Sequence, residues 1–178
     1  MKRSRTRDMV YIAVFAALIT ICSWIAIPTA IPFTLQTLGV FLAVGLLGGK
    51  RGTLAVLTYV LMAAVGLPVL TGFRGGIGAL LGNTGGYVLG FLLTALLMWA
   101  LEPLVGSRIV PQIFSMLLSL AACYLFGTIW FMLLYARAGQ QAALGTVLAT
   151  CVVPFILPDL AKIAGAIFLT RRLKKHIH

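Results

Sequence analysis

The sequence carries an acid and a base inside an apolar run, in the segment Pro158-Asp159-Leu160-Ala161-Lys162. The i,i+3 spacing of Asp159 and Lys162 places both side chains on one face of a helix. Pro158 suits the first helical turn, where its missing N–H is not needed. We therefore expect Asp159 at the start of a half-helix, beneath free backbone N–H groups.

The surrounding composition is that of a membrane protein. Of the 178 residues, 61% are hydrophobic and 10% are charged, and the mean hydropathy is +1.09. A soluble domain carries about a quarter charged residues. Nearly uncharged runs recur that reach the roughly 17–25 residues a helix needs to cross the hydrocarbon core, and the alternating strands of an outer-membrane barrel are absent. The sequence predicts an all-α integral membrane protein surrounded by lipid bilayer.

Proline, glycine and charged residues divide the chain into predicted membrane spans. There are six of them, at residues 9–27, 33–49, 53–66, 85–101, 113–135 and 142–170. The first is too long for the apolar core of a signal peptide and is expected to be retained. The last is interrupted by Pro154 and Pro158. Neither an internal repeat nor a linker is visible, so we expect residues 1–178 to form a single membrane domain.

The basic residues are distributed unequally between the predicted spans. With both termini on one side, that side carries eleven Lys and Arg residues, in the tails and at Lys50, Arg51 and Arg108, against Arg74 and Arg137 on the other. Because loops rich in Lys and Arg stay in the cytoplasm, both termini are predicted to be cytoplasmic, in a multi-pass protein of the cytoplasmic (inner) membrane. The net charge of +11 does not indicate nucleic-acid binding, since no basic face with interleaved aromatic residues is present.

The Asp159–Lys162 pair is the strongest candidate for a binding site. Lys162 precedes Arg171, at the inner boundary, by nine residues, or roughly 13 Å at the helical rise, so it is expected near mid-membrane. A charge at that depth costs about 2.5–3.5 kcal/mol on insertion scales, and such residues face a cavity or each other. Transporters expose polar groups to a solute beside a broken helix. The alternative is a self-neutralising pair that only fixes helix packing.

A glycine-rich connector at residues 66–86 supplies further candidates. Eight of its 21 residues are glycine, which allows tight bends and close approach to a ligand. The connector is too apolar for a solvated loop, so we expect it to fold back over the membrane face as a lid or re-entrant segment. Asn83 offers donors and an acceptor there, and Arg74 offers a cation. A compact turn shaped by packing is the alternative.

The start of the second predicted span is polar. Thr34, Gln36 and Thr37 follow closely on Phe33. These side chains either face a polar site or hydrogen-bond to neighbouring helices, and their pattern alone does not distinguish the two roles.

Several enzyme and metal sites are excluded by residue type. Residues 44–51 do not form a phosphate-binding loop, because Val44 stands where its first glycine belongs and Arg51 stands where its Ser or Thr belongs. The two histidines, His176 and His178, lie in the C-terminal tail, so no intramembrane Ser–His or His–metal site is possible. The three cysteines lie in apolar spans without CxxC spacing and are expected to be packing residues. We expect no enzymatic activity, no cofactor and no metal.

Four segments together resemble the BioY family, the biotin-specific substrate-binding (S) components of energy-coupling-factor (ECF) transporters. They are IPFTLQTLG at residues 31–39, GLPV at 66–69, GNTGGY at 82–87, and Pro154-Phe155 with PDLAK at 158–162. The resemblance covers nearly the whole chain, in order. The chain departs from it at Leu157-Pro158-Asp159, where a glycine is expected before the aspartate.

The resemblance implies a six-helix S-component bundle that binds biotin with high affinity near the outer face, for uptake. Asp159 would then accept from the ureido N–H groups, and Asn83 or Lys162 would donate to the ureido carbonyl. Tyr87, Phe33 or Trp24 would form apolar walls. Lys162, Arg74 or backbone N–H groups of the glycine-rich connector would bind the carboxylate, so the end of biotin that meets Lys162 stays open. The implied ligand-binding set is Asp159, Lys162, Asn83, Tyr87, Gln36, Arg74, Phe33 and Gly85.

The resemblance also implies partners. A transmembrane coupling protein and two cytoplasmic ATPase subunits would assemble with the chain, and only those ATPases would use ATP. Ala13 and Ala17 form the small-xxx-small pattern that would face the coupling protein, because two alanines four residues apart let a partner helix approach closely. Three alternatives stay open: transport by a homo-oligomer alone, another small carboxylated vitamin as ligand, and a non-transporting membrane scaffold.

Overall fold

The computed structural model describes residues 5–27, 33–106, 108–139 and 143–177, apart from the side chains of residues 176 and 177. Three sequence predictions fall outside these described residues. They concern the break between the first two spans at residues 28–32, the N-terminal basic residues Lys2 and Arg3, and the side chains of the two histidines.

Helices dominate the described chain, as predicted. They are α1 (Arg5–Trp24), α2 (Gln36–Leu47), α3 (Gly49–Ala64), α4 (Ile77–Leu80), α5 (Gly85–Val105), α6 (Ile109–Arg137), α7 (Leu144–Cys151) and α8 (Val153–Ile177). Two short strands, β1 (Ala26–Ile27) and β2 (Phe33–Thr34), form an antiparallel pair with Ala26 opposite Thr34. The sequence did not predict this pair, which ends α1 three residues before the expected boundary of the first span.

Four helical stretches of the described chain are long and apolar enough to cross a membrane. They are Arg5–Trp24, Gly85–Val105, Ile109–Arg137 and Leu144–Lys175. The helices α2 and α3 have 12 and 16 residues, or about 18 and 24 Å at the helical rise, against a hydrocarbon core of roughly 30 Å. The number of six spans therefore stays a prediction.

Helix α2 lies at the centre of the bundle. Nine of its 12 residues are buried, and it packs against α1, α3, α5 and α8. Gly39 permits the close contact with α1, since a Cβ there would lie 3.2 Å from the Cα of Ile19. Because neighbours cover α2 on all sides, its first turn delivers Gln36 and Thr37 into the interior of the protein.

The break in the last span lies at Val152 and not at the second proline. Val152 separates α7 from α8 with φ −124° and ψ −57°. Pro158 lies inside α8, and Asp159 is in its second turn, so the prediction that Asp159 begins a half-helix is wrong. The earlier proline, Pro154, occupies the first turn, where the missing N–H costs nothing.

Two acidic residues hold the start of α3 at the end of the bundle where α1 begins and α8 ends. Asp8 of α1 forms an ion pair with Arg51 of α3 at 3.1 Å. The backbone N–H of Gly49 donates to a carboxylate oxygen of Glu102, from α5, at 3.0 Å. Helices α1 and α5 therefore hold the start of α3 from two sides, and the carboxylates of Asp8 and Glu102 both take part in these contacts.

Candidate functional site

A cavity of about 610 Å³ lies at the end of the bundle opposite the start of α1 and the end of α8. Its walls come from the end of α1, the β1–β2 pair, the first turn of α2, the connector, the first turns of α5, the middle of α6, the end of α7 and the first half of α8. This volume is within the range of roughly 300–1,000 Å³ typical of small-molecule sites. Polar side chains on these walls determine what the cavity can bind.

The Asp159 carboxylate is the centre of a buried polar cluster. Its Oδ1 accepts from the Thr37 hydroxyl at 2.9 Å and from the Lys162 ammonium at 2.7 Å. Its Oδ2 accepts a hydrogen bond from the Tyr124 hydroxyl. The donors come from α2, α6 and α8, so three helices converge on one carboxylate. A buried charge is tolerated when it is paired and hydrogen-bonded in this way.

Asp159 and Lys162 both keep hydrogen-bonding capacity for a ligand. A carboxylate has about four acceptor positions, and the contacts above fill three of them. The Lys162 ammonium has three N–H donors, of which Asp159 takes one. Both residues line the cavity. Their arrangement suits a neutral group that offers an N–H and a carbonyl side by side, as an amide or urea does.

Phe33 lies beside the Lys162 ammonium of this cluster. Its ring stacks on that of Phe155 with centroids 5.0 Å apart and planes at 15°. The Lys162 Nζ lies 5.1 Å from the Phe33 ring centroid, within reach of a cation–π interaction. Phe33 itself is not among the cavity walls, whereas Phe155 is. The stack joins β2 to α8 and shields the ammonium.

Gln36 lines the cavity and also joins two helices. Its amide Nε2 donates to the Tyr59 hydroxyl of α3 at 2.6 Å, and its Oε1 accepts from the Thr34 hydroxyl at 2.8 Å. Thr34, Gln36 and Thr37 all line the cavity. The two roles left open by the sequence are therefore combined, because the same side chains face the site and hold their neighbours in place.

The glycine-rich connector forms one wall of the cavity. The Ser23 hydroxyl donates to the Val69 carbonyl at 2.5 Å, and the Trp24 Nε1 donates to the Pro68 carbonyl at 3.0 Å. The Trp24 and Phe73 rings lie 5.0 Å apart, and both residues line the cavity. Phe73 has φ +56°, an uncommon conformation for a residue with a side chain. Opening of this wall as a lid stays a prediction.

Arg74 also lies on the connector wall, and it gives the cavity a positive charge. Its side chain is exposed, unlike those of Asp159 and Lys162, which are buried. The charged residues that line the cavity are these three, so their formal charges sum to one positive charge. Because Asp159 and Lys162 neutralise each other, Arg74 is the cation available for an anionic group on a ligand.

The segment from Asn83 to Tyr87 is only partly at the cavity. Tyr87 is a wall residue, and its hydroxyl lies 3.3 Å from that of Thr128. Asn83 is exposed, and Gly85 is buried where a Cβ would collide with the Leu80 carbonyl. Neither lies on the cavity wall, whereas Thr84 between them does. Contact of Asn83 or Gly85 with a ligand stays a prediction without geometric support.

Sequence reasoning missed Tyr124. This residue lies in the middle of α6, lines the cavity and donates to Asp159. A tyrosine within an apolar span is a detectable signal, since a buried hydroxyl needs a partner. The identity of that partner, 35 residues away in the chain, has no sequence pattern. Cys123 and Cys151, interpreted as packing residues, are buried and also line the cavity.

Comparison with known proteins gives consistent matches along the chain. The model of the BioY family matches residues 1–178. The biotin transporter BioY of Thermotoga maritima is 39% identical over 170 residues, covering 95% of this chain and 96% of that protein. The probable biotin transporter BioY of Pyrococcus horikoshii is 33% identical over 171 residues, covering 96% of this chain and 98% of that protein.

A solved structure has the same fold. It is the crystal structure, at 2.1 Å, of the S-component for biotin from an ECF-type ABC transporter. The TM-score is 0.85 at 31% sequence identity, and the match covers 98% of this chain and 94% of that one. The helical bundle is therefore that of an S component, and the chain is a multi-pass membrane protein.

Proposed function

Because the chain belongs to the BioY family, we propose that it is the biotin-binding S component of an ECF transporter. It is a substrate-binding membrane protein and not an enzyme. The observation that carries the proposal is the buried Asp159–Lys162 pair in the wall of a ligand-sized cavity. The pair offers both an acceptor and a donor at one place, which is what the ureido ring of biotin requires.

The charges of the cavity support one orientation of biotin. A carboxylate placed at Lys162 would compete with Asp159 for its buried ammonium. The neutral ureido ring has no such conflict, since its carbonyl accepts from Lys162 and one N–H donates to the remaining acceptor position of Asp159. The biotin carboxylate then lies at the exposed Arg74, and the sulfur-containing ring lies against aromatic walls such as Trp24 and Tyr87.

The same residues account for selectivity. Asp159 and Lys162 are buried, and Asp159 is positioned by hydrogen bonds from Thr37 and Tyr124. An analogue that lacks the ureido group leaves buried polar groups without a partner, which is the strongest basis for rejection in a binding site.

The membrane arrangement follows from the basic residues and from the helices. In this proposal α2 and α3 join the four longer stretches to give six spans in a single domain. Eleven Lys and Arg residues then lie on the cytoplasmic side and two outside, in the cytoplasmic membrane. The cavity, at the end opposite the termini, faces outward, where a subunit for uptake meets its ligand.

The proposed partners are those of an ECF module, a transmembrane coupling protein and two cytoplasmic ATPase subunits. Ala13 and Ala17 are both exposed on α1, which supports a helix–helix contact there. Energy for transport comes from the ATPases in this proposal, and the chain contributes the binding step. Assembly into homo-oligomers is compatible with the same exposed face.

Thermal unfolding of the detergent-purified, ligand-free protein tests the proposal. Binding to the folded state adds RT ln(1 + [L]/Kd), or about 4 kcal/mol at a thousandfold excess over Kd. We expect micromolar biotin to raise the unfolding temperature and other carboxylated vitamins, such as nicotinate, to leave it unchanged. A folded, ligand-free protein that responds equally to all of them, or to none, would contradict the assignment of biotin.

A further inference from the structure

A second concave surface lies at the end of the bundle where α1 begins and α8 ends. It is a groove of about 600 Å³ between the first turns of α6 and the last turns of α8, and we call it the α6–α8 groove. On the α6 side its wall is apolar, with Ile109 and Ile113 one turn apart. On the α8 side the apolar wall includes Ile167 and Phe168, and Phe168 is 61% exposed.

The α6–α8 groove changes from apolar to basic along its length. Beyond Phe168, the α8 wall consists of Arg171, Arg172 and Lys175, which share one helix face with it at spacings of three and four residues. Phe168 and Lys175 are seven residues apart, or roughly 10 Å along the helix. The Arg172 guanidinium lies 5.8 Å from the Phe168 ring centroid. Apolar surface and positive charge thus adjoin within two helical turns.

The chain has no side-chain carboxylate available for these three basic residues. It contains three acidic residues, and all are engaged elsewhere. Asp159 is paired with Lys162, Asp8 with Arg51, and Glu102 accepts from the Gly49 N–H. The ion pairs among the described residues do not include Arg171, Arg172 or Lys175. No acidic side chain of the protein is therefore left to neutralise this cluster, whose positive charge is available to an external anion.

We propose that the α6–α8 groove binds one anionic phospholipid of the leaflet on the side of the termini. The lipid phosphate lies among Arg171, Arg172 and Lys175, and an acyl chain lies against Ile113 and Phe168. Basic clusters beside membrane helices attract anionic headgroups. An acidic segment of a partner protein would match the charges and would leave the apolar half of the groove unexplained. Lys175 lies 13 residues from Lys162, roughly 20 Å, so this site is separate from the cavity.

Native mass spectrometry of the detergent-purified full chain tests this site. Phosphatidylglycerol is titrated in the presence of excess phosphatidylcholine, and we expect one phosphatidylglycerol to be retained. The variant Arg172→Gln/Lys175→Gln should bind it roughly 30-fold more weakly, because each of the two basic residues contributes about 1 kcal/mol to such attraction. The matched control is Arg5→Gln/Lys174→Gln, which removes the same charge from residues that do not line the groove and should keep the wild-type affinity.

Further arms of the experiment separate the possible sources of the signal. Glycerol 3-phosphate, which carries the phosphate without acyl chains, should not displace the lipid, and Lys175→Gln alone should give an intermediate loss. The biotin-induced rise in unfolding temperature should be intact in every variant, which reports correct folding independently of the lipid. Equal losses in the groove and control variants, or displacement by glycerol 3-phosphate, would overturn the proposal. So would a groove variant that keeps the lipid but no longer purifies with its partner subunits.

Discussion

Two ion pairs lie at opposite ends of this protein, and they have the same chemistry in different surroundings. Lys162 and Asp159 are 2.7 Å apart, with side chains 8% and 3% exposed. Arg51 and Asp8 are 3.1 Å apart, with side chains 25% and 35% exposed. Water or lipid headgroups screen the second pair, whereas the first depends on its own neighbours for solvation. Burial, and not charge type, therefore separates the proposed ligand site from a surface contact between helices.

The neighbours of the two pairs show the same difference. Asp159 accepts two additional hydrogen bonds, from Thr37 of α2 and Tyr124 of α6, and both pair members line a cavity. The Asp8–Arg51 pair joins α1 to α3 beside a backbone contact from Glu102. Three helices meet at the first pair on the wall of the cavity, whereas the second pair holds two helices together at a corner of the bundle.

The largest effect is expected from breaking the buried pair. Lys162→Met leaves the Asp159 carboxylate buried without its cation, which should lower the free energy of unfolding by about 3–5 kcal/mol. The double variant Asp159→Asn/Lys162→Met removes both charges and should recover most of that stability. Neither variant should bind biotin. Thermal unfolding and titration with biotin measure the two properties separately.

This comparison also tests the packing interpretation of the pair. If the pair only fixes the helices, the double variant should recover biotin binding together with stability. That result would remove Asp159 and Lys162 from the binding site.

A smaller effect is expected at the mouth of the cavity. Arg74→Gln removes the proposed partner of the biotin carboxylate and should weaken binding by roughly 10–100-fold, as expected for about 1.5–3 kcal/mol from a hydrogen bond to a charged group. The protein should prefer biotin over biotinamide, and the variant should lose this preference. Stability should not change, since Arg74 is exposed.

Arg137→Gln is the matched control for Arg74. Arg137 is the other basic residue of the predicted outer side, and it does not line the cavity. Its substitution should leave both affinities unchanged. If Arg74→Gln keeps the preference for biotin over biotinamide, the carboxylate binds elsewhere and the proposed orientation of biotin is wrong.

The sequence predicted the features that depend on local pattern. Helical class, the pairing of Asp159 with Lys162 and the four long apolar helical stretches follow from hydropathy and from i,i+3 spacing. The position of the break in the last span could not be predicted in this way, because two prolines, Pro154 and Pro158, both satisfy the rule for a first turn. The structure has the break at Val152, with Pro154 in the first turn of α8.

The features that sequence reasoning missed are short or depend on distant contacts. The β1–β2 pair has two residues in each strand, too few for an alternating pattern. The Tyr124–Asp159 hydrogen bond joins residues 35 positions apart. In the glycine-rich motif, Thr84 and not its neighbour Asn83 lies on the cavity wall, because the orientation of a turn is fixed by contacts such as that of Gly85 with Leu80.

The smallest effect is expected at the exposed pair. Arg51→Gln should lower the free energy of unfolding by about 0–1 kcal/mol, the value typical of exposed ion pairs. High salt should reduce the difference in stability between this variant and the wild type, because added ions screen the attraction between the two exposed charges. Lys50→Gln, at a neighbouring basic residue that forms no ion pair among the described residues, is the control for loss of charge alone. Biotin affinity should be unchanged in both variants.

A loss of affinity in Arg51→Gln but not in Lys50→Gln would mean that the corner held by Asp8 is coupled to the cavity at the other end of the bundle. Burial alone would then no longer account for the difference between the two pairs.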